Sequence, residues 1–322
     1  MDLLGEVLLS LKIDAHSVGV FHAGDRWGFA MPRTTPTLAV AYSVTQAPCW
    51  FMREGEEPVL LQEGDSILTL HGSPVALASS PDQELVSFVD CWRNQGLPDL
   101  NAKSRRNAPI HFSFDGTSKT PRLLTIAYIL RDPARNPLLS GLPECILLPG
   151  SAGGLLPWLP PILQLLGEED LARKPGYLAT ATRLAELVFT SFVRAGVLSA
   201  SSSSAGWLRG LADARIGKAL AAMHTRPGHP WTASMLAAEA GMSRASFARR
   251  FKDLTGKSPI DYLIAWRMQI AAQLVIDGRA SVSAIVEKVG YSSETAFRKA
   301  FREHFGIAPL QYAKEERNRQ LE

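Results

Sequence analysis

A segment of 20 residues occurs twice in this chain, offset by 50 positions. The first copy, SRASFARRFKDLTGKSPIDY, runs from Ser243 to Tyr262; the second, SETAFRKAFREHFGIAPLQY, runs from Ser293 to Tyr312. Each begins with a serine suited to capping a helix, because its hydroxyl accepts a backbone N–H that the first turn leaves unpaired. Each then places two phenylalanines four residues apart, Phe247 with Phe251 and Phe297 with Phe301, on a single helical stripe. Each closes with Gly-x-x-Pro-x-x-Tyr, through Gly256, Pro259 and Tyr262 and through Gly306, Pro309 and Tyr312.

The residues before each copy complete the unit. Leu236 and Ala240 lead through Gly241 to Ser243, and Ile285 and Val289 lead through Gly290 to Ser293. Helix, glycine turn, capped helix is the pattern of a helix-turn-helix, expected over about 232–253 and about 281–304. Ile260, Leu263, Ile264, Ile270, Ala271, Leu274 and Val275 mark a longer helix joining the two. Ile216, Leu220 and Met223 mark a helix before them that ends at Arg226-Pro227-Gly228.

The surface left outside the phenylalanine stripes is basic. On the first copy it holds Arg244, Ala245, Ala248, Arg249 and Lys252; on the second, Glu294, Thr295, Arg298, Lys299 and Arg302. Such helices suit the major groove of double-stranded DNA. Arg249 and Arg298 are expected to pair with guanine, Ala245 and Ala248 to meet thymine methyls, and Lys252 and Arg302 to contact phosphate. Charge follows the same division: from Leu211 to Glu322 there are 17 Lys and Arg against 11 Asp and Glu, a net of +6, while the other residues net −3.

From about Asp213 to Tyr312 the chain resembles the DNA-binding domain of AraC/XylS-family transcription regulators. The residues that carry the resemblance are AAEAGMSRASFARRFKDLTGKSPIDYL, the linking WRMQIAAQLV, and VEKVGYSSETAFRKAFREHFGIAPLQY. It implies two reading heads on one side of the duplex, entering successive major grooves about 34 Å apart. More weakly, GEEPVLLQEGDSILTLHGSPVAL and LLTIAYILRDPARNPLLSGLPECILL resemble the cupin-type sensing domain of one branch of that family.

The N-terminal part reads as β-rich on its own residues. Thr37–Val44, Pro58–Gln62, Ser66–Leu70 and Arg122–Leu130 are short apolar runs divided by Gly, Pro and Asp turn signals. MDLLGEVLLSLKID reads as an amphipathic helix rather than a signal peptide. In the apolar 155–166 stretch a helix is expected to begin at or after Pro161. Tyr177–Val197 has helical spacing, with Leu184, Leu187, Val188, Phe192 and Val193 on one side. Helices over about 155–197 suit either cover of one barrel face or homodimer formation. SASSSSAG, 199–206, reads as a flexible linker. The expected architecture is two-domain α+β: a cupin-like β-barrel with appended helices over 1–200, and an all-α domain with two helix-turn-helix motifs over 213–312.

An apolar barrel interior suits a small-molecule effector, with Trp27, Trp50, Phe51, His71, Trp92 and His111 as candidate pocket residues. Enzymatic readings find little. There is no H-x-H pair, and where the cupin resemblance implies a second histidine after His71 the chain has Val75. His111 is the remaining candidate partner for His71, and no metal or other cofactor is expected. No P-loop, GxGxxG or G-x-S-x-G occurs. Cys49, Cys91 and Cys145 form no CxxC pair.

These features lead to a cytoplasmic, effector-controlled, sequence-specific transcription regulator, with activation the expected role, RNA polymerase a candidate partner, no membrane span and no catalysis. The alternatives are a redox-responsive regulator using Cys49 and Cys91, a cupin metalloenzyme fused to a DNA-binding domain, and an architectural DNA binder with no effector.

Overall fold

The computed structural model describes residues 13–97, 108–114, 118–130, 133, 139, 142–150, 158–167, 174–198, 210, 213–278 and 280–321. The chain divides into two compact units, one built from Lys12–Arg131 and Pro143–Leu198, the other centred on Ser199–Glu322. The linker expected at 199–206 lies outside the described residues, as do residues 1–12 of the expected N-terminal helix. Ile13 and Asp14, which that helix was expected to include, open a strand instead.

In the first unit the strands are β1 (Ile13–His22), β2 (Gly28–Met31), β3 (Leu38–Val44), β4 (Cys49–Met52), β5 (Val59–Leu61), β6 (Ser66–Thr69), β7 (Val75–Ala78), β8 (Val86–Ser87), β9 (Ile110–Ser113), β10 (Pro121–Leu130) and β11 (Cys145–Leu148). Among the described residues they form a six-stranded sheet, β11-β6-β3-β10-β1-β9, and a five-stranded sheet, β5-β4-β7-β2-β8. Phe21, Tyr42, Ile67, Phe112 and Leu123 from the first and Phe29, Phe51, Leu61 and Leu77 from the second share one buried cluster, so the sheets face each other. Helix α1 (Phe88–Asn94) adds Phe88 and Trp92 to it.

Helices α2 (Leu159–Gly167) and α3 (Tyr177–Leu198) pack against β1 on the larger sheet, and α3 also against β11. Helix α2 starts two residues earlier than expected, with Pro160 and Pro161 in its first turn. That turn tolerates proline because its N–H groups have no intrahelical partner. The buried side of α3 is Ala181, Ala185, Val188, Phe189, Phe192 and Val193. Tyr128 of β10 donates its hydroxyl to the Ala185 carbonyl at 3.0 Å, and its ring meets Phe189 edge-on at 5.1 Å. Leu187, expected on the buried side, is 43% exposed, because the true stripe is rotated toward Ala185 and Phe189.

The second unit is helical: α4 (Ile216–Thr225), α5 (Ala233–Glu239), α6 (Arg244–Thr255), α7 (Pro259–Asp277), α8 (Val282–Lys288), α9 (Glu294–Phe305) and α10 (Pro309–Leu321). It continues past Tyr312, since α10 packs on α7 and buries Ala313 and Glu316. Ile264, expected among the buried residues of α7, is 36% exposed; Ala265, Trp266 and Met268 are buried beside it.

Candidate nucleic-acid interface

Both helix-turn-helix units form as the residue pattern requires. Ser243 accepts the Ser246 N–H at 3.4 Å to start α6, and Ser293 accepts the Ala296 N–H at 3.2 Å to start α9. Gly241 and Gly290 stand before them at φ 61° and 74°, a left-handed conformation that a β-carbon disfavours. Phe247, Phe251, Phe297 and Phe301 are all fully buried. The duplication is also geometric. Phe247 and Phe251 lie 5.5 Å apart at 57°, and Phe297 and Phe301 lie 5.7 Å apart at 58°. Tyr262 meets Phe251, and Tyr312 meets Phe301, each edge-on at 5.6 Å and 79°.

With that stripe inward, the opposite face of each helix is in solvent. Arg244, Ala245, Arg249 and Lys252 are exposed on α6; Glu294, Thr295, Arg298, Lys299 and Arg302 are exposed on α9. Ala248 is half-buried, because it lies next to Phe247 at the edge of the stripe. The two faces differ in charge. On α9, Arg298 pairs with Glu294 one turn earlier at 3.2 Å, and Lys299 with Glu303 at 3.9 Å. These pairs lie along the helix, so they pre-orient the side chains at little cost in energy.

Asp213 and Arg250, neither of them a candidate contact from the sequence, shape the first unit. Asp213 caps α4 by accepting the Ile216 N–H at 2.9 Å, and it also accepts Arg250 Nε at 2.9 Å. Burial works to raise its carboxyl, but those N–H groups and the guanidinium outweigh it and hold it below the usual carboxylate range. Arg250 is therefore tied to α4, and the Asp213–Arg250 pair lines a groove of about 560 Å³ together with Arg215, Ser246 and Arg249. Asp213 stands three residues before the first apolar position of α4, a capping signal that was there to be read.

The candidate effector residues fare unequally. Trp27 and Trp92 enter one aromatic cluster. Trp27 stacks on Phe114 at 5.5 Å, and Trp92 lies 5.8 Å from Phe112. Phe51 is buried in the same cluster. Trp50 does not join them: alternation along β4 buries Cys49 and Phe51 and turns Trp50 to the other face. His111 likewise opposes buried Phe112 on β9, and its Nδ1 lies 3.0 Å from His22 Nε2. His71 occupies a turn at φ 60° between β6 and β7. Among the described residues, no three His, Cys, Asp or Glu side chains gather as metal ligands.

Burial works against the thiolate form of Cys49 and Cys91. Cys49 is 1% exposed, and burial, with Asp65 adding to it, pushes its thiol up to about 12. Burial also raises Cys91, reinforced by Asp90. A reactive cysteine needs the opposite shift.

Comparison with known proteins agrees with the division of the chain. A cupin model matches residues 2–197, and a helix-turn-helix domain model matches residues 236–315. A protein of Streptomyces antibioticus whose name places it among AraC-like transcription regulators is 30% identical over 317 residues, 98% of this chain and 99% of that one. The Escherichia coli RCS-specific HTH-type transcriptional activator RclR is 38% identical over 184 residues, 57% of this chain and 64% of its own length. The solved DNA-binding domain of AdpA in complex with a target DNA is 32% identical, with a TM-score of 0.32, and spans 33% of this chain and 96% of that domain. Among the described residues, no helix is long and apolar enough to cross a membrane.

Proposed function

The chain belongs to the AraC-like transcription regulators, and from that premise we propose a regulator whose residues 213–321 read two successive major grooves while the cupin unit, residues 1–200, answers to a small-molecule effector. The observation that carries the reading is the matched pair of capped helices, each anchored by two buried phenylalanines and each turning an arginine-bearing face to solvent.

Roles follow from position along each helix. Arg249 and Arg298 reach guanine edges, and Arg244, Ala245, Ala248, Glu294 and Thr295 flank them nearer the helix N-termini. Glu294 suits a cytosine amino group. Lys252, Lys299 and Arg302 lie further along and take phosphates. Effector binding in the first unit changes the freedom of the second across residues 199–206, a coupling between two sites. Trp27 and Trp92 are the retained candidates for the effector pocket. Activation is the favoured role, in keeping with the activator name of the Escherichia coli relative, with RNA polymerase as partner; homodimers and a cytoplasmic location complete the reading.

The test is selection of bound duplexes from genomic fragments, followed by titration of variants. Arg249→Ala and Arg298→Ala are each expected to weaken the selected duplex about 5- to 100-fold and to relax base preference at a few positions. Lys252→Ala should weaken all sequences alike and reduce the salt slope by about 1. Unchanged affinity in both arginine variants would remove the base-contact assignment.

A further inference from the structure

We propose that Arg267, seated on α7 between Gly228 and Gly290, is a positioning residue that locks the two reading heads at one mutual geometry and so selects the half-site spacing. The inference rests on the two-headed DNA reading above.

Helix α7 alone is a single joint between the heads, and a single helix can flex. The structure adds a second joint. Arg267 donates from Nε to the Pro227 carbonyl at 2.7 Å and from Nη2 to the His229 carbonyl at 2.8 Å, straddling Gly228. The loop it grips belongs to the first head. Arg226 lies 4.7 Å over the Trp231 ring, Trp231 Nε1 donates to the Arg226 carbonyl at 3.0 Å, and Arg226 pairs with Glu239 of α5 at 3.2 Å.

The other side of the joint is the second head. The Arg267 guanidinium lies 6.0 Å from the Tyr291 ring, and Tyr291 meets Phe297 of α9 edge-on at 5.9 Å. Backbone packs on backbone beside it. A β-carbon on Gly228 would sit 2.8 Å from the Lys288 carbonyl oxygen, and one on Gly290 would collide with the Gly228 carbonyl. Contacts this close require glycine on both sides. The guanidinium fork supplies two donors in fixed geometry, which a lysine does not.

The geometry matters because one extra base pair moves the second half-site by about 3.4 Å and about 35° around the duplex. A rigid pair of heads loses its second set of contacts; a loose pair follows the DNA.

The test uses the full chain and a duplex selected by that chain from a random library. The selected duplex is compared with versions carrying one base pair inserted between half-sites and with a single half-site. The wild-type chain is expected to lose on the order of tenfold or more on insertion, the loss of at least one bidentate base contact. Arg267→Ala is expected to bind the single half-site as the wild type does, while its insertion penalty falls to about twofold. Gly228→Ala, which wedges the heads apart without a donor change, should show the same loss of spacing discrimination, and Arg267→Lys an intermediate penalty. If both the alanine variants keep the wild-type insertion penalty, the clamp is wrong; if they lose half-site binding and thermal stability together, Arg267 merely holds the fold and the clamp is again wrong. A wild-type chain indifferent to the second half-site would instead overturn the two-headed reading itself.

Discussion

Phe297→Ala is expected to destabilise the second helix-turn-helix by about 3–5 kcal/mol, the usual cost of deleting a large buried ring, and to abolish contacts with the second half-site. Phe297 is fully buried and touches both Tyr291 and Phe301. The ring network continues to Phe305 at 4.6 Å from Phe301, and Tyr312 closes it. Only Phe301 and Phe305 then remain to anchor α9, toward its C-terminal end, since Glu294, Thr295, Arg298, Lys299, Arg302 and Glu303 all face water. A surface helix of 12 residues in water is marginal without a packed stripe. Hydrogen exchange reads the outcome directly: amides of α9 should lose protection while those of α5 and α6 keep theirs. Phe247→Ala should do the reverse, because the first head has its own stripe. A loss below about 1 kcal/mol, with α9 still protected, would mean that the stripe does not hold the recognition helix.

How much of this was legible depends on how local the cause was. The caps at Ser243 and Ser293 act over three residues, and each forms as its sequence neighbourhood implies. The strands seen in advance, β3, β5, β6 and β10, are apolar runs bounded by Gly, Pro and Asp turns, and the two longest, β3 and β10 at 7 and 10 residues, lie in the middle of the larger sheet. Strand β1 was missed because IDAHSVGVFH carries His16, Ser17 and His22 on one chain segment. It is held instead by β10, more than 100 residues further along, where Val18 pairs with Ile126. Strand β4 is four residues long, too short for a periodic signal, yet its alternation alone separates Trp50 from Phe51. Grouping aromatic residues by type hid that distinction. The site shows the same rule. Faces of α6 and α9 follow from spacing along one helix, whereas Arg250 with Asp213 and Arg267 with Pro227 join residues 37 and 40 positions apart. No local pattern announces such pairs.

Acid is expected to destabilise the first reading head through His224, by about 4 kcal/mol at pH 3. His224 lies on α4 with its ring stacked on Trp266 at 4.0 Å and 19°, and its Nε2 is 2.9 Å from the Tyr262 hydroxyl. Burial excludes the imidazolium and pulls the pKa from 6.5 down to about 3. The sign follows from which state binds the proton. The unfolded chain takes it up near 6.5, while the folded chain refuses it until about 3. The stability contribution is therefore complete above pH 6.5 and declines as pH falls, by about 1.4 kcal/mol per unit. Carboxylates such as Asp213 also lose stabilisation in acid, so the informative quantity is a difference between two proteins. His224→Phe keeps an aromatic ring beside Trp266 and removes the titration, at the cost of the Tyr262 hydrogen bond at every pH. Urea unfolding of both chains should show the variant gaining on the wild type by about 2.5 kcal/mol between pH 7 and pH 4.5. A gap that stays constant over that range would mean that the folded chain leaves His224 solvated and free to take up its proton as the unfolded chain does. Because α4 packs on both α5 and α6, the same acid range should cost the first head its grip on DNA before the second head loses its own.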